Sequence, residues 1–315
     1  MERPLLDKID LHILAILGRD CRTSYSKIGS LIGLTSKSVK ARVKNMVSSG
    51  VIEKFVVRVN PAAFGYKTAI VLVKTNNGIT RDDAIQRVKT FGDLAYYVHQ
   101  MGKTSVAALL INESWDGNVV KSLNDCLKPA IVSSIAVSHV PVSTHPRETD
   151  LRIIKCLLQL GARAEISEIA KELGISEKTV TRRLDRMKEG RLLDFTLQSN
   201  PAAMIGYIQF CILIVAEKSH YLKVYERMYS EFQENILYHP SVIDPDDLLV
   251  FILFGENVFK VDSVLAKVDS FDGVKMADAF IVTKVQFYDD WVLREINRRL
   301  SPLRKLIKMA DAYPM

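Results

Sequence analysis

Cysteine is scarce in this chain: four in 315 residues, at Cys21, Cys126, Cys156 and Cys211, none of them in a C-x-x-C pair. The six histidines show no H-E-x-x-H or comparable spacing, so no metal site or disulfide framework is expected, and the cysteines read as core thiols. Glycine and proline are modest at 15 and 10, and no low-complexity tract occurs, which argues against a disordered or fibrous chain. No uninterrupted apolar run approaches the roughly 18 residues of a membrane span, and the opening MERPLLDKID lacks an apolar signal stretch. A cytoplasmic location without membrane contact is therefore expected. No nucleophilic triad or phosphate loop emerges, so neither an enzyme nor a bound cofactor is expected.

What the chain does have is unevenly placed positive charge. The formal net charge is +7 and the pI near 9.1. By segment the balance is +6 for 1–60, +2 for 61–145, +2 for 146–200, −7 for 201–290 and +4 for 291–315. A basic N-terminus favours a polyanionic partner.

The chain also repeats itself. IDLHILAIL at 9–17 matches TDLRIIKCL at 149–157, GLTSKSVKARVKNM at 33–46 matches GISEKTVTRRLDRM at 174–187, and NPAAFGY at 60–66 matches NPAAMIGY at 200–207. The offsets of 140, 141 and 140 imply a duplicated unit with small changes in turns. In the first copy, Leu11, Ile13, Leu14 and Leu17 have helical spacing, and a second amphipathic segment spans Tyr25–Ile32. Gly33-Leu34-Thr35 supplies a corner and an N-cap hydroxyl, and Val39, Val43 and Met46 then form a helical stripe ending at Gly50. Val51–Val59 reads as a strand, half of a wing hairpin. After each Asn-Pro-Ala-Ala block the pattern is β-α-β-β-α-β.

The expected fold is thus α+β, with two winged helix-turn-helix domains (1–60 and 146–200) alternating with two ferredoxin-like domains (61–145 and 201–290). A basic helix or tail at 291–315 closes the chain, its Trp291, Leu293, Ile296 and Leu300 forming a docking face.

A recognition helix needs a polar, unencumbered face to enter the major groove. The first copy offers Ser36, Lys37, Ser38, Lys40, Ala41 and Lys44 with no acid among them. Lysines can neutralise phosphates or reach guanine acceptors, and short hydroxyls can bond a base edge without filling the groove. The second copy offers Ser176, Lys178, Thr179, Thr181 and Arg182, interrupted by Glu177 and Asp185.

From Asp10 to Tyr66, and again from Asp150 to Tyr207, the chain resembles the Lrp/AsnC (leucine-responsive, feast/famine) regulators. That resemblance implies a sequence-specific DNA-binding transcription regulator with double-stranded promoter or operator DNA as partner. It also implies assembly through the regulatory sheets, here as an intrachain pseudo-dimer or a homo-oligomer, with an amino acid or other small effector. The effector loop of such regulators tends to carry Gly-x-x-Asp. Here Met101, Gly102 and Ser105 stand in one copy, and Asp244 and Asp247 in the other, so neither copy keeps both elements. Met101 and His99 are further candidates for a modified pocket.

Two other readings fit the same architecture. Siroheme decarboxylases of tetrapyrrole biosynthesis resemble it and can occur as fused units, with Tyr238, His239 and Pro240 as the echo here. Alternatively, the winged helices could serve protein contact, without DNA binding.

Overall fold

The computed structural model describes residues 5–112, 115–138, 140–243 and 248–301. The first copy opens with α1 (Lys8–Arg19), α2 (Tyr25–Ile32) and α3 (Ser36–Ser48). Each start has a chemical cause: the side chains of Asp7, Ser24 and Thr35 accept from the backbone N–H groups of Asp10, Lys27 and Ser38. Helix α2 stops at Gly33, whose φ of 73° suits glycine. Leu11, Leu14, Leu17, Ile28, Val39, Val43 and Met46 meet in one core, so the helical stripes face one another.

Strand β1 (Ile52–Val59) and a 3-10 turn at Pro61–Phe64 follow. Next come β2 (Lys67–Lys74), α4 (Arg81–Lys89), β3 (Leu94–Gln100), β4 (Thr104–Ile111), α5 (Gly117–Leu127) and β5 (Ile131–Ser138). The second copy repeats the order with α6 (Glu148–Leu160), α7 (Ile166–Leu173), α8 (Glu177–Glu189) and β6 (Leu193–Ser199). It continues through β7 (Ile208–Ala216), α9 (Tyr221–Phe232), β8 (Ser241–Ile243), β9 (Leu248–Gly255), α10 (Val258–Asp269) and β10 (Val274–Phe287), and α11 (Asp290–Leu300) comes last.

The sheet order among the described residues is β5-β2-β4-β3-β10-β7-β9-β8, antiparallel throughout. It consists of two ferredoxin-like sheets, each ordered fourth-first-third-second, joined where β3 pairs with β10. At the opposite margin β5 lies beside β8. The α+β class read from the residues is the class observed.

The half-hairpin expected of Val51–Val59 is corrected. Strand β1 pairs antiparallel with β6 of the other copy, Val57 opposite Phe195 and Phe55 opposite Leu197. Asn60 N–H donates to Leu192 and Asn200 N–H to Val51, which closes both ends of this ribbon. The Asn60 and Asn200 side chains then accept from Ala62 and Ala202 to turn the chain away. A lone strand cannot cover Val56, Val57 and Val59, and the second copy supplies the missing partner.

The core-thiol expectation holds for Cys21, Cys156 and Cys211 but not for Cys126, which is exposed because α5 turns Leu123 and Leu127 inward instead. Burial pushes the Cys21 thiol up to about 12. Helix α11 does dock, with Val292 in place of the expected Leu293: Trp291, Val292 and Ile296 are buried in the core of the second head with Leu300 packed against it, and Trp291 meets Phe64 and Tyr66 edge-on. Its cations are partly committed, Arg294 to Asp93 and Arg298 to Glu295, with Arg299 over the Phe64 ring. Arg304, Lys305 and Lys308 lie outside the described residues. No helix among the described residues is long and apolar enough to cross a membrane.

Candidate nucleic-acid interface

On α3, Ser36, Lys37, Lys40, Ala41 and Lys44 are exposed along one face, opposite buried Val39, Val43 and Met46. Ser38 is half-buried, its hydroxyl within 2.9 Å of the Thr35 hydroxyl at the cap. On α8, Ser176, Lys178, Thr181 and Arg182 are exposed and Thr179 is half-buried. Ser176 caps this helix by accepting from Thr179 N–H. Among the described residues no ion pair engages Lys37, Lys40, Lys44, Lys178 or Arg182, so these charges face solvent.

Helices α3 and α8 are each tied to their head by an arginine on the inner side. Arg42 donates to Asp7 and Asp10, both at 2.8 Å, and Arg183 sits 3.5 Å from buried Asp150. The aspartate hydrogen bonds hold the Arg42 guanidinium above its ordinary value. The two faces differ at equivalent positions, since Lys40 and Lys44 correspond to Thr181 and Asp185. Those last two also line a crevice between the heads, together with Arg22 and Lys27 of the first.

A reciprocal clamp joins the heads, and nothing in the hydrophobic pattern signalled it. Arg22 donates to the Ala162 carbonyl at 2.8 Å, and Arg163, its counterpart in the repeat, donates to the Cys21 carbonyl. The Arg163 guanidinium also lies over Tyr25 at 4.5 Å, and Lys188 pairs with Asp20 at 2.6 Å. Both arginines are visible in the sequence at matching positions; their targets are backbone carbonyls, which no side-chain pattern encodes.

The loop residues expected to meet an effector are less assembled in the first copy. Met101 is exposed and Gly102 sits in an open turn with φ 88°. Ser105 is fully buried, its hydroxyl 2.7 Å from His99 Nδ1, and His99 Nε2 lies 3.1 Å from an Asp82 oxygen that also accepts from Lys284. Asp244 and Asp247 lie outside the described residues. His99 lies at the β3–β10 seam, where burial lowers its pKa below the ordinary 6.5 against the opposing hydrogen bond to Asp82. An unfolded chain binds this proton more readily, so the seam's stability is present above 6.5 and falls on acidification below it. Chemical denaturation at about pH 7.5 and about pH 5.5 is expected to show a smaller loss for His99→Gln than for the unaltered chain. An equal loss would clear His99.

A cavity of about 740 Å³ lies beneath the β1–β6 ribbon, bounded by the sheets, α11 and the end of α8. His239 and Pro240 stand in its wall, while Tyr238 is buried and hydrogen-bonded to Ser199 at 2.9 Å. Arg58 also lines it, with both arms engaged by Asp194 at 2.8 and 2.6 Å.

The AsnC-type helix-turn-helix domain matches this chain twice, over residues 6–47 and 148–188. Curated proteins similar to it are named as HTH-type transcriptional regulators. An uncharacterized HTH-type transcriptional regulator of Pyrococcus furiosus is 40% identical over 68 residues, covering 22% of this chain and 46% of that protein. The HTH-type transcriptional regulator FL11 of the same organism is 38% identical over 88 residues, covering 28% and 58%. Ptr1 of Methanocaldococcus jannaschii is 26% identical over 107 residues, covering 34% and 72%. The chain thus spans about half the length of the first two. Among solved structures, the siroheme decarboxylase NirDL aligns with 95% of this chain and 100% of its own at 13% identity and a TM-score of 0.47. AsnC of E. coli aligns with 45% and 94% at 19% identity and a TM-score of 0.33. Both heads are AsnC-type helix-turn-helix domains. The chain thus carries this head twice and is similar in both heads to the Lrp/AsnC regulators.

Proposed function

We propose that the chain is a sequence-specific DNA-binding transcription regulator, not an enzyme, in which α3 and α8 enter successive major grooves of one operator. Residues 1–60 and 146–200 would read DNA, while 61–145 and 201–290 hold the heads and sense a small effector. The observation that carries this reading is the solvent-facing, acid-free row Ser36, Lys37, Lys40 and Lys44 on a capped helix of AsnC type. Ser38, Ser176, Lys178, Thr179, Thr181 and Arg182 complete the assigned interface. Because the two faces differ in charge, the operator need not be palindromic, and its half-sites fall about 34–36 Å apart or at a multiple.

Selection of bound fragments from random DNA tests the reading. A bipartite motif is expected, with affinity falling steeply with salt, by a log–log slope of about −0.9 per neutralised phosphate. No enrichment would sink it. Lys37→Ala and Lys40→Ala should each weaken binding more than Lys178→Ala, and each should flatten the salt slope by about 1. Equal losses at both heads would overturn the ranking. The enzymatic reading keeps His239 on the cavity wall but has Tyr238 turned into the core and Arg58 already neutralised, so the regulator reading is preferred.

A further inference from the structure

The first-copy positions that the family resemblance marks for an effector do not form an open site: Ser105 is closed in by His99, and Met101 projects into solvent. The space available for a ligand lies elsewhere, in the 740 Å³ cavity under the ribbon. That volume falls in the range of small-molecule sites, roughly 300–1,000 Å³. Four aromatic side chains stand in its wall, Tyr96, Phe287, Tyr288 and Trp291, contributed by β3, the end of β10 and α11. Flat apolar surface would bury well there.

The charges around the cavity are mostly cancelled. Arg58 is held bidentate by Asp194, and Lys188 is paired with Asp20. Burial lowers the pKa of His239, which favours its neutral form. Arg191 is the exception: it lines the cavity, and no ion pair or hydrogen bond among the described residues engages its guanidinium.

The backbone at Arg191 adds a second observation. Its φ of 53° lies in the left-handed region, where a side chain carries a steric penalty that glycine escapes. The equivalent turn in the first copy has Gly50, at φ 77°. The turn itself is fixed, since Arg191 N–H donates to Lys188 and the Asn60 amide donates to the Arg191 carbonyl, each at 3.0 Å. An arginine thus occupies a glycine position, and what it gains there is a free guanidinium at the mouth of an aromatic-lined cavity.

We infer that this cavity binds a small organic anion with a flat apolar body, its acid group held by the Arg191 guanidinium. Bound there, the ligand touches the ribbon from which both heads spring and the sheets beneath it. Control of DNA affinity by that contact rests on the regulator reading; binding itself does not.

The test uses the full chain and the fluorescent probe anilinonaphthalene sulfonate, with uncharged N-phenylnaphthylamine as its control. Trp291 in the wall serves as energy donor. One saturable sulfonate site per chain is expected. Arg191→Gly should weaken it about tenfold while leaving the melting temperature unchanged or raised, since glycine relaxes the turn. Arg191→Lys should restore part of the affinity, and the uncharged probe should not distinguish the variants. Absence of a saturable site, or equal sulfonate affinity in Arg191→Gly and the unaltered chain, would overturn the inference. Because the readout needs no DNA, a failure to bind operator would remove the regulator reading and leave this result standing.

Discussion

Gly18→Val is expected to destabilise the chain by about 3 kcal/mol, lowering the melting temperature by about 5–10 °C, and to release the first head from the second copy. Gly18 lies in α1, and a Cβ built on it would sit 2.2 Å from the Leu237 carbonyl oxygen. That carbonyl cannot retreat easily, because Leu237 N–H is bonded to Ile252 of β9 at 2.8 Å. The Gly18 carbonyl is held as well, accepting from the buried Thr196 hydroxyl at 2.5 Å. Two backbones are therefore pinned in contact, and a side chain must part them. The equivalent residue in the second head is Leu158, which packs against a different surface, so the reverse change there carries no such clash. Thermal melts and hydrogen exchange check this. Loss of protection confined to α1 through α3 is expected, and a Gly18→Val protein as stable as the parent would show that the close approach is not a constraint.

Much of this was legible in the residues, for physical reasons. Helical periodicity is local, so Val39, Val43 and Met46 marked the inner side of α3 and left its lysines outside before any contact was known. The repeat fixed the order of elements in both copies, and the apolar stripe of α11 marked it as a docking helix. The partner of β1 was not legible. Its β-branched and aromatic run suits a hairpin and an intercopy ribbon equally, and the choice is made by Phe195 and Leu197, more than 130 residues away. The cavity was hidden for a similar reason. Its walls come from β1, β2, β3, β5, β6, β10, α8 and α11, and only the closed ribbon brings them together. Arg191 did carry a signal, as the residue standing where the first copy has Gly50, although only its dihedral angle shows what that exchange costs.

On the proposed regulator reading, an insertion of about 5 base pairs between the operator half-sites is expected to reduce affinity about 100-fold, since half a helical turn moves one half-site to the opposite side of the duplex. The structure says why the protein would not follow. The heads do not swing on separate tethers: β1 and β6 form one ribbon, Arg22 and Arg163 each donate to a carbonyl of the other head, and Lys188 joins Asp20. Hydrogen bonds from charged donors are worth about 1.5–3 kcal/mol each, so removing both arginines should loosen the heads while the ribbon persists. In the Arg22→Ala, Arg163→Ala double variant the penalty of the insertion should shrink to about 10-fold, with affinity for a single half-site unchanged. The check is a spacing series measured by gel shift for both proteins at one salt concentration. A double variant that still loses the full 100-fold would assign the fixed geometry to the ribbon alone. A parent chain indifferent to spacing would mean that the heads do not read DNA as a coupled pair.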